Sequence, residues 1–191
     1  MHSLHPDLTR AMAQMLDKME HSIRLSGYSG GAIKMFLAGG MAVHYYCGTR
    51  YTEDVDASFS HRLLLPGKEL AVDYQRADGS PSVLYFDANY NDHFALMHPG
   101  YRENALEWED IGNGERALHL YVLSPVDLAV SKISRFSEQD RYDILSLAHK
   151  GLITSDQLRT QATEALGYYV GDTTWVCANL DQICTEITSS L

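Results

Sequence analysis

Asp54 and Asp56 are the residues whose type and spacing best suit chemistry. They lie in the run Arg50-Tyr51-Thr52-Glu53-Asp54-Val55-Asp56-Ala57-Ser58-Phe59, where Asp54, Asp56 and Ser58 alternate with Val55, Ala57 and Phe59. A period of two is that of a strand, so both carboxylates should project from one face of a single strand, about 7 Å apart. Two such charges repel unless solvent or a cation bridges them. Hard oxygen donors of this kind suit Mg2+ (or Mn2+), which keeps water and substrate phosphates as its other ligands.

The elements that must position these acids lie just upstream. Met35 to Ala38 is a short apolar run ending at glycine, which reads as a strand buried on both faces. Gly39 and Gly40 then allow a tight turn and let a ligand approach the backbone. Met41 to Cys47 reads as a short helix whose first amides face that turn, and amides so placed favour phosphate oxygens. Taken singly, Gly-Gly is a turn and Asp-x-Asp is a solvated strand face. Taken together, residues 35–60 read as a site for a metal and a nucleoside triphosphate.

The order of buried strand, Gly39-Gly40, short helix and Arg50-x-Thr52-x-Asp54-x-Asp56 resembles the signature of the polymerase-beta-like nucleotidyltransferases. There a hydrophobic-Gly-Gly/Ser motif is followed, after a short spacer, by Asp-hydrophobic-Asp. The spacer here runs from Met41 to Glu53. Within that superfamily the chain is most similar to small bacterial nucleotidyltransferase-like proteins, the group that includes AbiEii-type toxins. The resemblance covers residues 33–89 and continues more weakly to about 153.

The resemblance implies an α+β fold, a nucleotidyltransferase-like mixed sheet flanked by helices with a C-terminal helical part. It implies a third acid on a strand beside the Asp-x-Asp strand. Asp87, at the end of the apolar run in Ser82 to Tyr90, is the best match, with Asp73 and Asp92 as alternatives; an aspartate that only shapes a turn is the competing reading. Lys132 followed by Asp140 and Asp143 resembles the second and third motifs of the AbiEii-like group, where the lysine meets the triphosphate and the acids support it. Only two residues separate Lys132 from Arg135, a departure from that pattern, and Lys132 could instead pair with an acid across the helices. On this basis Asp54, Asp56 and Asp87 are the expected catalytic residues, with Asp54 and Asp56 on the metal. Gly39, Gly40, Arg50, Thr52, Lys132 and Asp143 are the expected nucleotide contacts.

The implied activity moves a nucleoside monophosphate from a triphosphate to a hydroxyl on an RNA, protein or small-molecule acceptor. The implied partners are a tRNA or protein acceptor and a cognate toxin or antitoxin, as in a toxin–antitoxin or phage-defence pair. The alternative is a catalytically silent nucleotide-binding or protein-interaction module on the same fold.

Composition bounds these readings. With 191 residues, 45% hydrophobic and 21% charged, the chain is long enough for a substantial core and is not of disordered type. Its net charge of -10 argues against a broad nucleic-acid face, though not against a local basic cleft. No apolar run is long enough to span a membrane. The first residues lack an apolar signal core, and three cysteines without metal-ligand spacing fit reduced thiols, so a cytoplasmic location is expected. Cys177 and Cys184 should share a helix face and pack in the core.

Further elements follow in order. Pro6 to Leu25 is an amphipathic helix by the spacing of Leu8, Met12, Met15, Met19 and Ile23. Pro66 should open a helix over Gly67 to Tyr74, and Asp92 to Asn104 should be loop, its His93 and His98 ordinary surface residues. Ala105 to Asp110 and Arg116 to Leu123 should form a hairpin through Gly112-Asn113-Gly114. Ser124-Pro125-Val126-Asp127 and Ser137-Glu138-Gln139-Asp140 are helix starts, and Thr154 and Gly171-Asp172 open two more helices. Tyr168, Tyr169 and Trp175 could stack on a base, with packing between helices as the expectation. The core is assigned to residues 1–123 and a helical subdomain to 124–191.

Overall fold

The methionine stripe of the first helix is its buried side. In the computed structural model, which describes residues 6–48 and 51–190, Met12, Met15 and Met19 of α1 (Pro6–Leu25) are fully buried. The chain divides into two units, Met1–Tyr90 with Leu106–Val122, and Asn91–Ala105 with Leu123–Leu191. The stretch Asn91–Ala105 thus groups with the helical unit.

The first unit holds two sheets. β1 (Ile33–Leu37) lies between β3 (Ala57–Phe59), antiparallel, and β7 (Leu118–Val122), parallel; β6 (Leu106–Glu107) closes that sheet on the far side of β7. The second sheet orders β2 (Asp54–Val55), β5 (Pro81–Phe86) and β4 (Val72–Gln75). β2 runs parallel to β5, and β4 is antiparallel to it. The apolar run of β1 is buried except at Lys34, as its central place requires. Glu20 of α1 accepts from the Leu118 N–H at 3.0 Å, and Arg116 reaches Asp17 at 2.8 Å, tying α1 to the start of β7.

Three expectations are corrected. Asp54 to Phe59 is not one strand: the chain pairs with β5 as β2, breaks at Asp56, and then pairs with β1 as β3. Asp56 is where the chain passes from one sheet to the other. Gly67 to Tyr74 is not one helix but a 3-10 turn (Gly67–Leu70) followed by β4. Residues Val72 to Gln75 include a β-branched and an aromatic side chain, and Ser82 and Leu84 lie opposite Tyr74 and Val72 across β5, so sheet pairing overrides the helix start offered by Pro66. The segment Asp92 to Asn104 is not all loop, since α3 (Tyr101–Asn104) and a 3-10 turn lie within it.

The second unit is helical. α4 (Pro125–Ser131) is capped by Ser124, whose oxygen accepts from the Asp127 N–H. α5 (Glu138–His149) opens with a full capping box from Ser137 and Asp140, and α6 (Ser155–Leu166) with one from Thr154 and Gln157. α7 (Thr174–Ser190) completes the set. Asp127 is buried and accepts from Ser124, Asn104 and Gln161, so one carboxylate joins α3, α4 and α6. Leu96 N–H donates to Ser134, and His98 Nε2 lies 3.0 Å from Glu164, fastening residues 91–105 to the helices. Cys184 is buried as expected, whereas Cys177, in the first turn of α7, is exposed. Tyr168 and Trp175, expected to pack, are exposed. No described helix is long and apolar enough to cross a membrane.

Candidate active site

The site is built where β1 ends. Ala38 leaves the strand, its N–H donating to the Asp56 carbonyl at 2.8 Å. α2 (Gly39–Cys47) begins at once, so Gly39 and Gly40 are its first turn rather than a loop before it, and the Ala42 N–H closes that turn on the Ala38 carbonyl at 3.2 Å. Ala38, as N-cap, offers no side-chain acceptor to the orphan amides. Gly39 has φ +59, which side-chain-bearing residues rarely adopt, and a Cβ placed on it would overlap the Asp56 carboxylate. Glycine at 39 therefore lets a carboxylate lie against the start of a helix whose N-terminus carries partial positive charge.

The neighbouring strand supplies the rest. Asp54 lies opposite Tyr85, and Val55 opposite Phe86. The Tyr85 N–H donates to the Glu53 carbonyl at 2.7 Å and the Asp87 N–H to the Val55 carbonyl at 3.1 Å, so the parallel ladder runs out at Asp87, beside Asp56. The structure thus puts Asp54, Asp56 and Asp87 on adjoining chain segments, and of these it is the Asp56 carboxylate that lies against Gly39. Asp54 is exposed; Asp56 and Asp87 are half-buried. One oxygen of Asp87 accepts from the Asn89 N–H at 2.8 Å, the behaviour of an aspartate that shapes a turn. Asp73 lies on β4 opposite Val83, one strand further away, and Asp92 is in the second unit.

The odd-numbered side chains of this stretch serve the fold. Val55 is buried, and Glu53 accepts from Arg76 at 2.8 Å and Ser82 at 3.1 Å. Arg76 also stands over the Tyr51 ring, 5.5 Å from its centroid. The pairing of Arg76 with Glu53 carries no sequence signal, because Arg76, just past the end of β4, meets Glu53 only once β4 and β2 flank the same strand. Thr52 is half-buried, its hydroxyl accepting from the Asp54 N–H at 3.3 Å, so it braces the acid strand. Arg50 lies outside the described residues.

Lys132, Asp140 and Asp143 come together in the helical unit. The Lys132 ammonium is 2.8 Å from Asp143 and 3.5 Å from Asp140, and all three side chains are buried. Arg135 grips Asp140 with two hydrogen bonds of 2.7 Å, and Gln139 donates to Asp143 at 3.0 Å. Burial alone would push the Asp140 carboxyl up; the hydrogen bonds from Arg135 and Ser137 and the charge of Lys132 outweigh it and hold it well below the usual carboxylate range.

Among the described residues, no group of three or more His, Cys, Asp or Glu side chains is placed to hold a metal. A pair of carboxylates nevertheless fits Mg2+, which is often held by one or two of them while water and phosphates fill its other positions. The space that Gly39 leaves for the Asp56 carboxylate keeps that donor at the helix start, where such phosphates would lie.

A family model described as a nucleotidyltransferase of unknown function (DUF6036) matches residues 14–177. The chain belongs to that family. The match spans the Gly39-Gly40 turn, the acid strand and the Lys132 cluster, so the nucleotidyltransferase-like fold expected from the glycines and acids holds for this family member. A crystal structure of an antigenic nucleotidyltransferase-like protein from Paracoccidioides brasiliensis is similar at 18% identity, with 93% of this chain and 94% of that one covered and a TM-score of 0.43. No curated protein matches the chain.

Proposed function

We propose that this family member transfers a nucleoside monophosphate from a nucleoside triphosphate to a hydroxyl of an acceptor. The observation that carries the reading is the Asp56 carboxylate lying against Gly39 at the start of α2, with Asp54 and Asp87 on the adjoining segments. Asp54 and Asp56 would hold Mg2+ or Mn2+, which when bound neutralises charge on the triphosphate and on the departing pyrophosphate. Gly39 and Gly40 carry no side chain at the start of α2, and phosphate oxygens would approach its first amides beside the Asp56 carboxylate.

In the step itself, the acceptor oxygen forms a bond to the α-phosphorus. The bond from that phosphorus to the bridging oxygen breaks, and pyrophosphate leaves with the electron pair. Asp87 is the group proposed to take the hydroxyl proton. Lys132 and Asp143 enter this reading only through the family resemblance. In the fold they neutralise one another.

The test is incubation of the purified protein with each labelled triphosphate and Mg2+, with total RNA, lysate protein or small hydroxylated molecules as acceptor. Label should pass to one acceptor class, and Asp56→Asn should abolish the transfer. Undiminished transfer by Asp56→Asn contradicts the assignment. The hydrogen bond from Asn89 to Asp87 favours a second reading, in which the triphosphate binds without turnover; bound label with no product in every acceptor class supports it. The resemblance to AbiEii-type proteins extends the proposal to a cytoplasmic component of a toxin–antitoxin or phage-defence pair. Growth arrest on expression, relieved by the product of a neighbouring reading frame, tests that extension.

A further inference from the structure

The helical unit contains a cavity of about 770 Å3 that none of the chemistry above uses. Its walls come from residues 92–103 and from the end of α6 with the turn after it. That size suits a small organic ligand rather than a lone ion. Its most unusual feature is Tyr168, which lines the cavity while 72% of its surface is exposed, followed by Tyr169 and the exposed Val170. An exposed aromatic and an exposed valine among the residues lining a cavity leave apolar surface in water.

The backbone that carries these rings is fixed by the end of α6. The Tyr168 and Tyr169 N–H groups continue the turn of α6 onto Ala165 and Leu166 at 3.1 and 3.2 Å. At the other end Gly171 has φ +136, and a Cβ there would meet the Tyr169 ring at 3.6 Å, ordinary contact distance. Across the cavity, Asp92 and Arg102 already answer one another, while Glu103 adds a carboxylate to the lining that can accept a hydrogen bond from a ligand. Asp92 accepts from Tyr101 and from Arg102, and it also lies 3.0 Å from His93. Arg102 donates to the Tyr101 hydroxyl at 2.8 Å and stands over that ring, 5.3 Å from its centroid. A phosphate would have to compete with Asp92 for Arg102, and a cation would have to compete with Arg102 for Asp92. What fits is an uncharged, planar group that covers aromatic faces and offers hydrogen-bonding edges to the rim.

We infer that this cavity binds a nucleobase, stacked on Tyr168. The base can belong to a free nucleoside or to the unpaired end of an RNA. This inference stands apart from the transfer reading, since it needs neither the metal nor Asp54 and Asp56.

The experiment is a binding titration of the full chain in chelator, first with adenosine, guanosine, cytidine and uridine and then with short single-stranded RNA. Chelation removes the metal and triphosphate site from the readout, so a chain that never transfers a nucleotide can still pass. At least one nucleoside or RNA should bind. Tyr168→Ala should weaken it about tenfold or more, the scale of one lost base–aromatic stack, and Tyr168→Phe should keep it within about threefold. Because Tyr168 is exposed, both variants should keep the wild-type melting temperature. Nucleoside binding assigns the site to a free base, and binding of RNA alone assigns it to an RNA end. Absence of both, or binding indifferent to Tyr168→Ala, overturns the inference.

Discussion

Asp54 stands exposed on a two-residue strand, while Asp140 and Asp143, in the other unit, are wholly buried against Lys132 and Arg135. Both regions place carboxylates two or three residues apart. They differ in what answers the charge. The helical unit supplies its own cations and seals the cluster, so the acids there are bound up in holding α4 to α5. In the first unit, the Asp56 carboxylate lies against Gly39 at the start of α2, and Asp54 faces solvent. The first arrangement stabilises a fold; the second is the one proposed above to take a cation and phosphates. Residue type and spacing alone do not separate the two, because burial and partners decide.

The sharpest way to break this comparison is to exchange charge for amide in each region. Asp54→Asn should lower nucleotide transfer by about a thousandfold, the scale of a lost electrostatic contact at a reacting centre, and leave the melting temperature nearly unchanged. A large loss of stability with transfer intact would reverse the roles assigned to the regions. Lys132→Met leaves two buried carboxylates without their shared ammonium. Removing one partner of such a group costs about 3–5 kcal/mol, so the melting temperature should fall by about 10 °C in a thermal scan. A variant as stable as the parent would show that Lys132 does not hold the helices.

Gly39→Ala sharpens the comparison on the other side. It forces a side chain into the left-handed region and into the Asp56 carboxylate, and should cost about 1–3 kcal/mol in urea denaturation. Gly48, also at positive φ but with open space around it, should tolerate alanine better, with only its backbone strain to lose.

The smallest effect concerns pH. Asp140 is held below its ordinary value of 3.8 in the folded chain, so its ionised form contributes stability above that pH and loses it as the pH falls further. Going from about pH 5 to about pH 3 should remove roughly 1 kcal/mol through this group. Asp140→Asn, less stable at neutral pH, should show a shallower decline over that window. Parallel curves would mean that Asp140 does not titrate below its unfolded value.

Much of the fold was legible because local signals agreed with tertiary demands. The methionine stripe of α1, the hairpin through Gly112 to Gly114 and the capping box of Ser137 and Asp140 each carry their own geometry. The Val72 to Gln75 strand was not legible, since Pro66 offers a helix start and only the antiparallel partner at Pro81 to Leu84 settles the matter. The break at Asp56 was also hidden: two ladders with different partners read in sequence as one alternating run. At the site, glycines and acids could be paired from spacing, whereas the brace of Glu53, Arg76 and Ser82 and the hub at Asp127 exist only through long-range contacts.

The most direct measurement is isothermal titration of Mg2+ and a nonhydrolysable triphosphate into the wild-type chain and into Asp54→Asn/Asp56→Asn. Saturable heat from the wild type that disappears in the double variant, with the melting temperature of the free protein preserved, is the predicted result. Equal heat from both proteins, or none from the wild type with any of the four triphosphates, would contradict the placement of a metal–triphosphate site at Gly39, Asp54 and Asp56.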